Sequence, residues 1–242
     1  VSSTIDRRLP AADGSGVAGL TDRDRAAVLI NAVELIGGVG TDANHRGRGH
    51  ASALLDAIEQ DAHRFRSQAL VLWSELREFY GRFGFVPTGE QWELRYTADA
   101  AALDLLPRLR SLASDASLRS ATSGDLPALY ELHARNPVGV QRSLQDLEVL
   151  WTTRPMHCAI AERGGQPVAY ACRDKGADLT GWWHEFGGTD ADVAAILLGC
   201  CEPTQAIHLL LPSYRPDLLT ALVDEQAKAT ITTGCCALTR FV

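Results

Sequence analysis

The chain has 242 residues, of which 46% are hydrophobic and 22% charged, so it has ample apolar surface for a folded core and is not a disordered chain. This length allows one large domain or two small ones, and the formal net charge of −7 argues against a surface that binds nucleic acid, because such surfaces carry clustered excess Lys and Arg. No apolar run approaches the roughly 20 residues of a membrane-spanning helix, and the first residues do not resemble a signal peptide, which predicts a soluble cytoplasmic protein without a membrane partner.

Six cysteines all lie in the second half of the chain, at positions 158, 172, 200, 201, 235 and 236. Their spacing contains no CxxC pair and no Cys/His arrangement typical of a metal site, so no metal is predicted. In a cytoplasmic protein this pattern favours buried free thiols over disulfides or metal ligands.

The first half of the chain is predicted to alternate between strands and helices. An apolar run over 26–39 ends as a strand and leads into a loop rich in Gly and Arg. The elements predicted after this loop are, in chain order, a helix over 49–65, a strand over 69–73, a helix over 75–83, a strand near Phe85 and a strand over 91–96.

A segment over 98–117, rich in Ala, Asp, Leu and Ser, separates the two halves. It predicts a first domain over 1–98, a linker over 99–116 and a second domain over 117–242. The elements predicted in the second domain are a strand at Leu118, a helix begun by Ser123 or Asp125 and ending near Arg135, a helix over 143–152, a hairpin of 157–162 and 167–173, a strand over 181–186, a helix over 191–201, a strand over 206–211, a helix over 216–229 and a closing strand over 230–242. Both halves together predict an α/β fold with mixed sheets.

The stretch over 39–51 is the part of the sequence most typical of a binding site. It reads Val39-Gly40-Thr41-Asp-Ala-Asn-His-Arg46-Gly47-Arg48-Gly49-His50-Ala51, and the predicted helix begins within it. Backbone amides at a helix start are unpaired and lie at the positive end of the helix dipole, so they suit a pyrophosphate, and glycine lets the phosphates approach closely. The alternative is a plain turn with two solvated arginines.

Two other phosphate-binding motifs fit this region less well. Residues 38–43 formally match GxGxxG/A, but a dinucleotide site needs the helix to begin inside the motif, and residues 44–49 intervene. The sequence contains no GxxxxGK[ST] motif, so a P-loop nucleotide site is not predicted.

Two segments of the first half resemble the GNAT N-acetyltransferases. Arg46-Gly-Arg-Gly49-His-Ala51 is similar to their Q/R-x-x-G-x-G/A loop, and Phe79-Tyr80-Gly-Arg-Phe-Gly84-Phe85 is similar to their Tyr-x-x-x-Gly-Phe segment. The second half resembles a GNAT domain in its element order, but Gly187-Gly-Thr-Asp-Ala-Asp192 stands where the loop should be. The chain therefore resembles a tandem GNAT protein of the enhanced-intracellular-survival type, without the third domain of that type.

The resemblance implies a role for each residue of the loop and its surroundings. The backbone of Val39, Gly40 and Thr41 would pair with the pantetheine arm of acetyl-CoA, the co-substrate. The backbone amides that would hold the pyrophosphate belong to Arg46, Gly47, Arg48, Gly49, His50 and Ala51. Many family members have an Asn seven residues before the Tyr; this chain has Trp73 there, and the neighbouring Ser74 is assigned to the cofactor site.

Two residues are the predicted catalytic groups. The resemblance implies that Tyr80 faces the sulfur, and a phenol there can supply the proton that the leaving thiolate needs. Glu34, on the strand before the loop, is the candidate base that deprotonates the amine. An edge or solvent-facing strand position is the equal alternative for Glu34, and a water chain could replace it as the base.

These observations predict an acetyl-CoA-dependent N-acetyltransferase that acts on an amine of a small molecule or peptide. The alternative is a non-catalytic protein of the same fold that binds an acyl-CoA or a partner. If Glu34 corresponds to Glu185, only 33 residues precede it, against the 67 residues 118–184 that precede Glu185 in the second domain. This predicts a first domain without its first strand and two early helices, a sheet that begins with a hairpin from residues 1–39, and an open edge that favours pairing with a second chain.

Overall fold

The computed structural model describes residues 5–6, 33–139, 142–151, 156–176, 179–234 and 237–242. Its contacts divide the chain into two units, the first formed by Val1–Gly89 with Cys235–Val242 and the second by Glu90–Gly234. None of the helices in the described ranges is long and apolar enough to cross a membrane.

Helices and strands alternate along most of the described chain. In chain order, the elements are β1 (Ile5–Asp6), β2 (Val33–Ile36), a 3₁₀ turn (Ala43–His45), α1 (His50–Phe65), β3 (Ala69–Leu72), α2 (Arg77–Gly81), β4 (Val86–Thr88), β5 (Gln91–Tyr96), α3 (Ala98–Ala100), a π-helical segment (Ala101–Leu105), α4 (Leu106–Leu112), β6 (Ser117–Ser120), a 3₁₀ turn (Ser123–Asp125), α5 (Leu126–Ala134), α6 (Leu144–Trp151), β7 (His157–Arg163), β8 (Gln166–Arg173), β9 (Trp182–Gly188), α7 (Asp190–Cys200), β10 (Ile207–Pro212), α8 (Pro216–Leu222), β11 (Thr230–Gly234) and β12 (Ala237–Phe241).

Within the described residues, the first unit contains a five-stranded mixed sheet in the order β1-β2-β3-β12-β4. β2 and β3 are parallel, and α1 connects them. The buried residues of α1 are spaced by three and four, so they form one helix face. This face packs against alternate strand residues in a core that includes Leu55, Ile58, Ala62, Ile36, Leu70 and Leu72.

The second unit is a seven-stranded mixed sheet in the order β11-β5-β10-β9-β8-β7-β6. Successive residues of β8 belong to different cores, because side chains alternate between the two faces of a strand. Ala169 and Ala171 lie in the core that contains residues of α4, α7 and α8, whereas Tyr170 and Cys172 lie in the core with α5 and α6. Helices therefore cover both faces of this sheet, and the predicted mixed α/β fold is confirmed.

Two sequence-based element predictions were wrong. The closing strand predicted over 230–242 is two strands in different sheets, since β11 pairs with β5 whereas β12 pairs with β3 and β4. The helix predicted over 216–229 ends at Leu222. Residues 98–112, which lie mostly in the segment predicted as a linker, are helical, and Pro107 follows directly after the π-helical stretch Ala101–Leu105.

The predicted domain limits and the predicted N-terminal hairpin stay predictions. The contacts divide the chain after Gly89, whereas the sequence placed the limits at 98 and 117. β1 pairs antiparallel with β2, with Ile5 opposite Ile36, and the remainder of the hairpin predicted from residues 1–39 falls largely outside the described residues.

Candidate active site

The predicted binding residues meet at the carboxyl end of the parallel pair β2 and β3. The two strands pair from Val33 opposite Ala69 to Ile36 opposite Leu72, and both end there. The segment with Val39, Gly40 and Thr41 continues from β2, and Ser74 follows β3 two residues after Leu72. Crevices at the carboxyl ends of parallel strands are common ligand sites in α/β proteins. The structure therefore brings both predicted walls of the pantetheine site to one sheet edge.

Short-range hydrogen bonds shape the loop that precedes α1. One carboxylate oxygen of Asp42 accepts from the Asn44 backbone N–H at 2.9 Å and lies 3.3 Å from His45 Nδ1. The Asn44 bond first, and then His45, hold the pKa of the Asp42 carboxyl below its usual value. Arg46 Nε donates to the Thr41 carbonyl at 3.3 Å. The loop is thus folded by its own polar groups before any ligand is present.

The N-terminus of α1 is open. Gly47 and Gly49 have φ of +74° and +78°, the left-handed region that favours glycine, and a Cβ on either would meet no atom within 4 Å. Gly49 is the N-cap of α1. No side chain among the described residues caps this helix, and its first turn contains no acidic residue. The first N–H groups of α1 and its positive dipole end are therefore free to bind an anion.

Tyr80 is held in an aromatic cluster on α2. It is 6% exposed, with the rings of Phe79 and Phe85 centred 5.0 and 5.8 Å away. Its hydroxyl has no hydrogen-bond partner among the described residues, and burial raises the pKa of the phenol. The phenol is therefore protonated at neutral pH, as a proton donor must be.

The local sequence explains how this tyrosine is presented. Gly84, with φ of +79°, reverses the chain after α2, so the N–H groups of Phe83 and Phe85 both donate to the Tyr80 carbonyl, at 2.9 and 3.3 Å. Val39 of the loop segment packs against the same core cluster that contains Tyr80. One cluster thus joins the aromatic segment to the start of the binding loop.

Glu34 is buried rather than solvent-facing. It is 6% exposed; Oε1 accepts from the Ser67 hydroxyl at 2.7 Å, and Oε2 has no partner among the described residues. Glu34 and Ile36 share one strand face, which is the face covered by α1. Ser67 lies just beyond the C-terminal end of α1, about 24 Å along that helix from Gly49. The carboxylate is therefore remote from the open helix end.

The second unit repeats the strand-helix-strand arrangement as β9-α7-β10, but the start of its helix is closed by side chains. The Thr189 hydroxyl accepts from the Asp192 backbone N–H at 3.2 Å and donates to the Asp192 carboxylate at 2.8 Å. That carboxylate also accepts from Ser114 at 2.7 Å and pairs with Arg163. Acidic side chains thus occupy the place that an anionic ligand would take.

Side chains from other elements bond to the backbone of β9 beyond its pairing with β10. Within the described residues these strands pair only at Trp182–His208 and Trp183–Leu209. Farther along, the Phe186 carbonyl accepts from Asn136 Nδ2 at 3.0 Å, and the Gly188 carbonyl accepts from Arg215 Nη1 at 2.8 Å. The Arg215 side chain is 3% exposed. Sequence reasoning missed Asn136 and Arg215, because no local motif marks either residue.

Comparisons with known proteins agree with this geometry. Residues 30–88 match the family model described as an acetyltransferase (GNAT) domain. No curated protein sequence matches the chain significantly. Among solved structures, a conserved Enterococcus faecalis protein described as a probable N-acyltransferase has a TM-score of 0.64 at 18% identity, covering 87% of this chain and 54% of its own.

Two further solved structures share the fold. A GCN5-related N-acetyltransferase from Anabaena variabilis has a TM-score of 0.62 at 16% identity, covering 86% of this chain and 54% of its own. Eis1 from Mycobacterium abscessus has a TM-score of 0.56 at 15% identity, with coverages of 86% and 56%. The chain therefore spans about half the length of these proteins. The chain has the fold of these N-acyltransferases, and the match over residues 30–88 agrees with the GNAT resemblance seen in the sequence.

Proposed function

We propose that the protein is an acetyl-CoA-dependent N-acetyltransferase that transfers an acetyl group to an amine of a small molecule or peptide. The observation that carries the proposal is the uncapped start of α1, with two left-handed glycines and no acidic residue in its first turn, beside the crevice at the ends of β2 and β3. The backbone amides from Arg46 to Ala51 hold the pyrophosphate, and Val39, Gly40, Thr41 and Ser74 line the pantetheine arm.

Tyr80 supplies a proton to the leaving thiolate. Acetyl-CoA contributes an activated thioester, and transfer to an amine forms an amide while the carbon–sulfur bond breaks. The sulfur then needs one proton and the amine must lose one. A buried phenol without a competing hydrogen bond is suited to the first transfer.

Glu34 stays the candidate base, and its position supports that role less well. Its carboxylate is on the α1 face of the sheet and accepts from Ser67, so it would reach an amine only through intervening water. This observation favours the second candidate function, an acyl-CoA-binding protein without catalysis. That function would use the same open helix start, but no acetyl transfer would follow binding.

We also propose a division between two GNAT-like domains in tandem, of which only the first binds acetyl-CoA. The cap formed by Thr189 and Asp192 supports this assignment. The domain limits, a cytoplasmic location and pairing with a second copy are further proposals from the sequence.

The test combines binding and turnover on the full chain. Acetyl-CoA binding is measured by calorimetry, and acetyl transfer to a panel of small-molecule and peptide amines by thiol release together with mass spectrometry of the acetylated product. Transfer that requires both acetyl-CoA and an amine supports the enzyme. Binding without any acetylated product supports the non-catalytic alternative, and absence of binding refutes both functions.

A further inference from the structure

Two cysteines of the second unit lie directly opposite each other on neighbouring strands. Cys158 of β7 and Cys172 of β8 are Cα partners in the antiparallel ladder, and both thiols are free. Directly opposed residues in such a ladder have Cα atoms about 4.5 or 5.5 Å apart. Both distances fall within the roughly 4.4–6.8 Å that a disulfide spans, so a bond needs no large backbone movement.

The two thiols lie on the same face of neighbouring strands but differ in access. A hydrogen bond with Cys158, and then burial, raise the pKa of the Cys172 thiol, which is 5% exposed. Cys158 is only half-buried. An oxidant therefore reaches Cys158 first, and Cys172 is already in position to attack the oxidised sulfur.

The other described cysteines lack this arrangement. Cys200 and Cys201 are consecutive residues at the C-terminal end of α7, not opposed residues of a ladder. A disulfide between Cys158 and Cys172 would link β7 and β8 covalently. β8 is also paired with β9, where Glu185 is the register partner of Cys172.

We propose that Cys158 and Cys172 are a redox-sensitive pair that forms a reversible disulfide when the protein meets a peroxide. In the first step hydrogen peroxide oxidises the Cys158 thiol to a sulfenic acid and is itself reduced to water. In the second step the Cys172 sulfur attacks the Cys158 sulfur and the S–S bond forms. The S–O bond of the sulfenic acid breaks, and its hydroxyl leaves with the Cys172 thiol proton as a second water. A dithiol reductant reverses the reaction, and the proposal is independent of acetyl transfer.

The test treats the folded full chain with hydrogen peroxide, blocks the remaining thiols and measures the mass of tryptic peptides. The sequence separates the candidates, because residues 143–163 contain only Cys158 and residues 164–173 only Cys172. We expect a linked pair of these two peptides, lighter by two hydrogen atoms, that disappears on reduction. Because the bond closes a short loop, we also expect a reversible rise in Tm on the order of 5 °C.

Three variants make the result decisive. Cys158→Ser and Cys172→Ser should each abolish the linked peptide and the rise in Tm, whereas Cys200→Ser, which changes another half-buried thiol, should retain both. A linked peptide that contains any other cysteine overturns the proposal. So does a wild-type chain whose Cys158 and Cys172 stay reduced after peroxide has oxidised its other thiols.

Discussion

Replacing Gly49 by Asp should strongly weaken acetyl-CoA binding without unfolding the protein. Gly49 is the N-cap of α1 at φ of +78°, and a side chain there meets no protein atom within 4 Å. Asp and Asn tolerate the left-handed region better than most residues do, so the free protein should lose only about 1 kcal/mol. The carboxylate would instead stand where the proposed pyrophosphate binds.

The size of the effect follows from charge repulsion. A carboxylate about 5 Å from one phosphate charge costs about 3 kcal/mol at the effective dielectric of about 20 near a protein surface, which weakens binding roughly 100-fold. At a ligand concentration of 100 times Kd, acetyl-CoA stabilises the wild type by about 2.7 kcal/mol, and the variant by about 0.4 kcal/mol. For a unit of about 100 residues, the Tm shift should fall from roughly 10 °C to roughly 2 °C.

Thermal shift with and without acetyl-CoA measures this difference, and two variants separate its causes. Gly49→Asn has the same shape without the charge, so it should retain much of the shift. Gly164→Asp places the same charge at another glycine with positive φ and open surroundings, in the β7–β8 turn, and should retain all of it. A full shift in Gly49→Asp would refute the assignment of this loop to the pyrophosphate.

Three further predictions test the site and the second unit. Tyr80→Phe should lower turnover about 10²- to 10⁴-fold with unchanged acetyl-CoA affinity by calorimetry; equal turnover where chemistry limits the rate would make Tyr80 a packing residue only. Calorimetry should find one acetyl-CoA per chain, and a second site surviving in Gly49→Asp would contradict the closed second unit. Asp192→Asn should lower the free energy of unfolding by about 2 kcal/mol at pH 7 in urea titrations. Burial opposes ionisation of Asp192, but the hydrogen bonds from Ser114, Thr189 and Arg163 outweigh burial and lower the pKa of the carboxyl. The charge therefore stabilises the fold above the unfolded-state pKa of about 3.9, and the stability difference between wild type and Asp192→Asn should shrink as the pH falls below that value. An equal stability difference at pH 3 would contradict the charge argument.

Elements with local signals were predictable from the sequence. The β7–β8 hairpin follows from two β-prone runs around Gly164 and Gly165, both of which have positive φ in the structure. The start of α1 follows from Gly49 and the apolar spacing behind it. In each case the residues that decide the structure lie within a few positions of one another, so a short window of sequence contains the whole cause.

Features decided by distant residues were not predictable in the same way. No short-range pattern tells that residues 230–242 divide between two sheets, because the partners of β11 and β12 are β5 and β3, more than 130 residues earlier. The face of Glu34 stayed open in the sequence for a related reason. A strand of four residues gives too short an alternation to show which side α1 covers, and only the packing of Ile36 against α1 settles it.

The length of the connection before each helix explains why the start of α1 is open and the start of α7 is capped. In the first unit residues 37–49 separate β2 from α1, which leaves room for a loop whose backbone can surround a ligand. In the second unit Thr189 alone separates β9 from α7, so the helix start lies directly at the strand end and its N–H groups must be satisfied by the nearest side chains. Thr189 and Asp192 do this, and their acidic cap repels an anion. A new phosphate site in the second unit would therefore need a longer connection as well as the loss of Asp192, so Asp192→Asn alone should not create one.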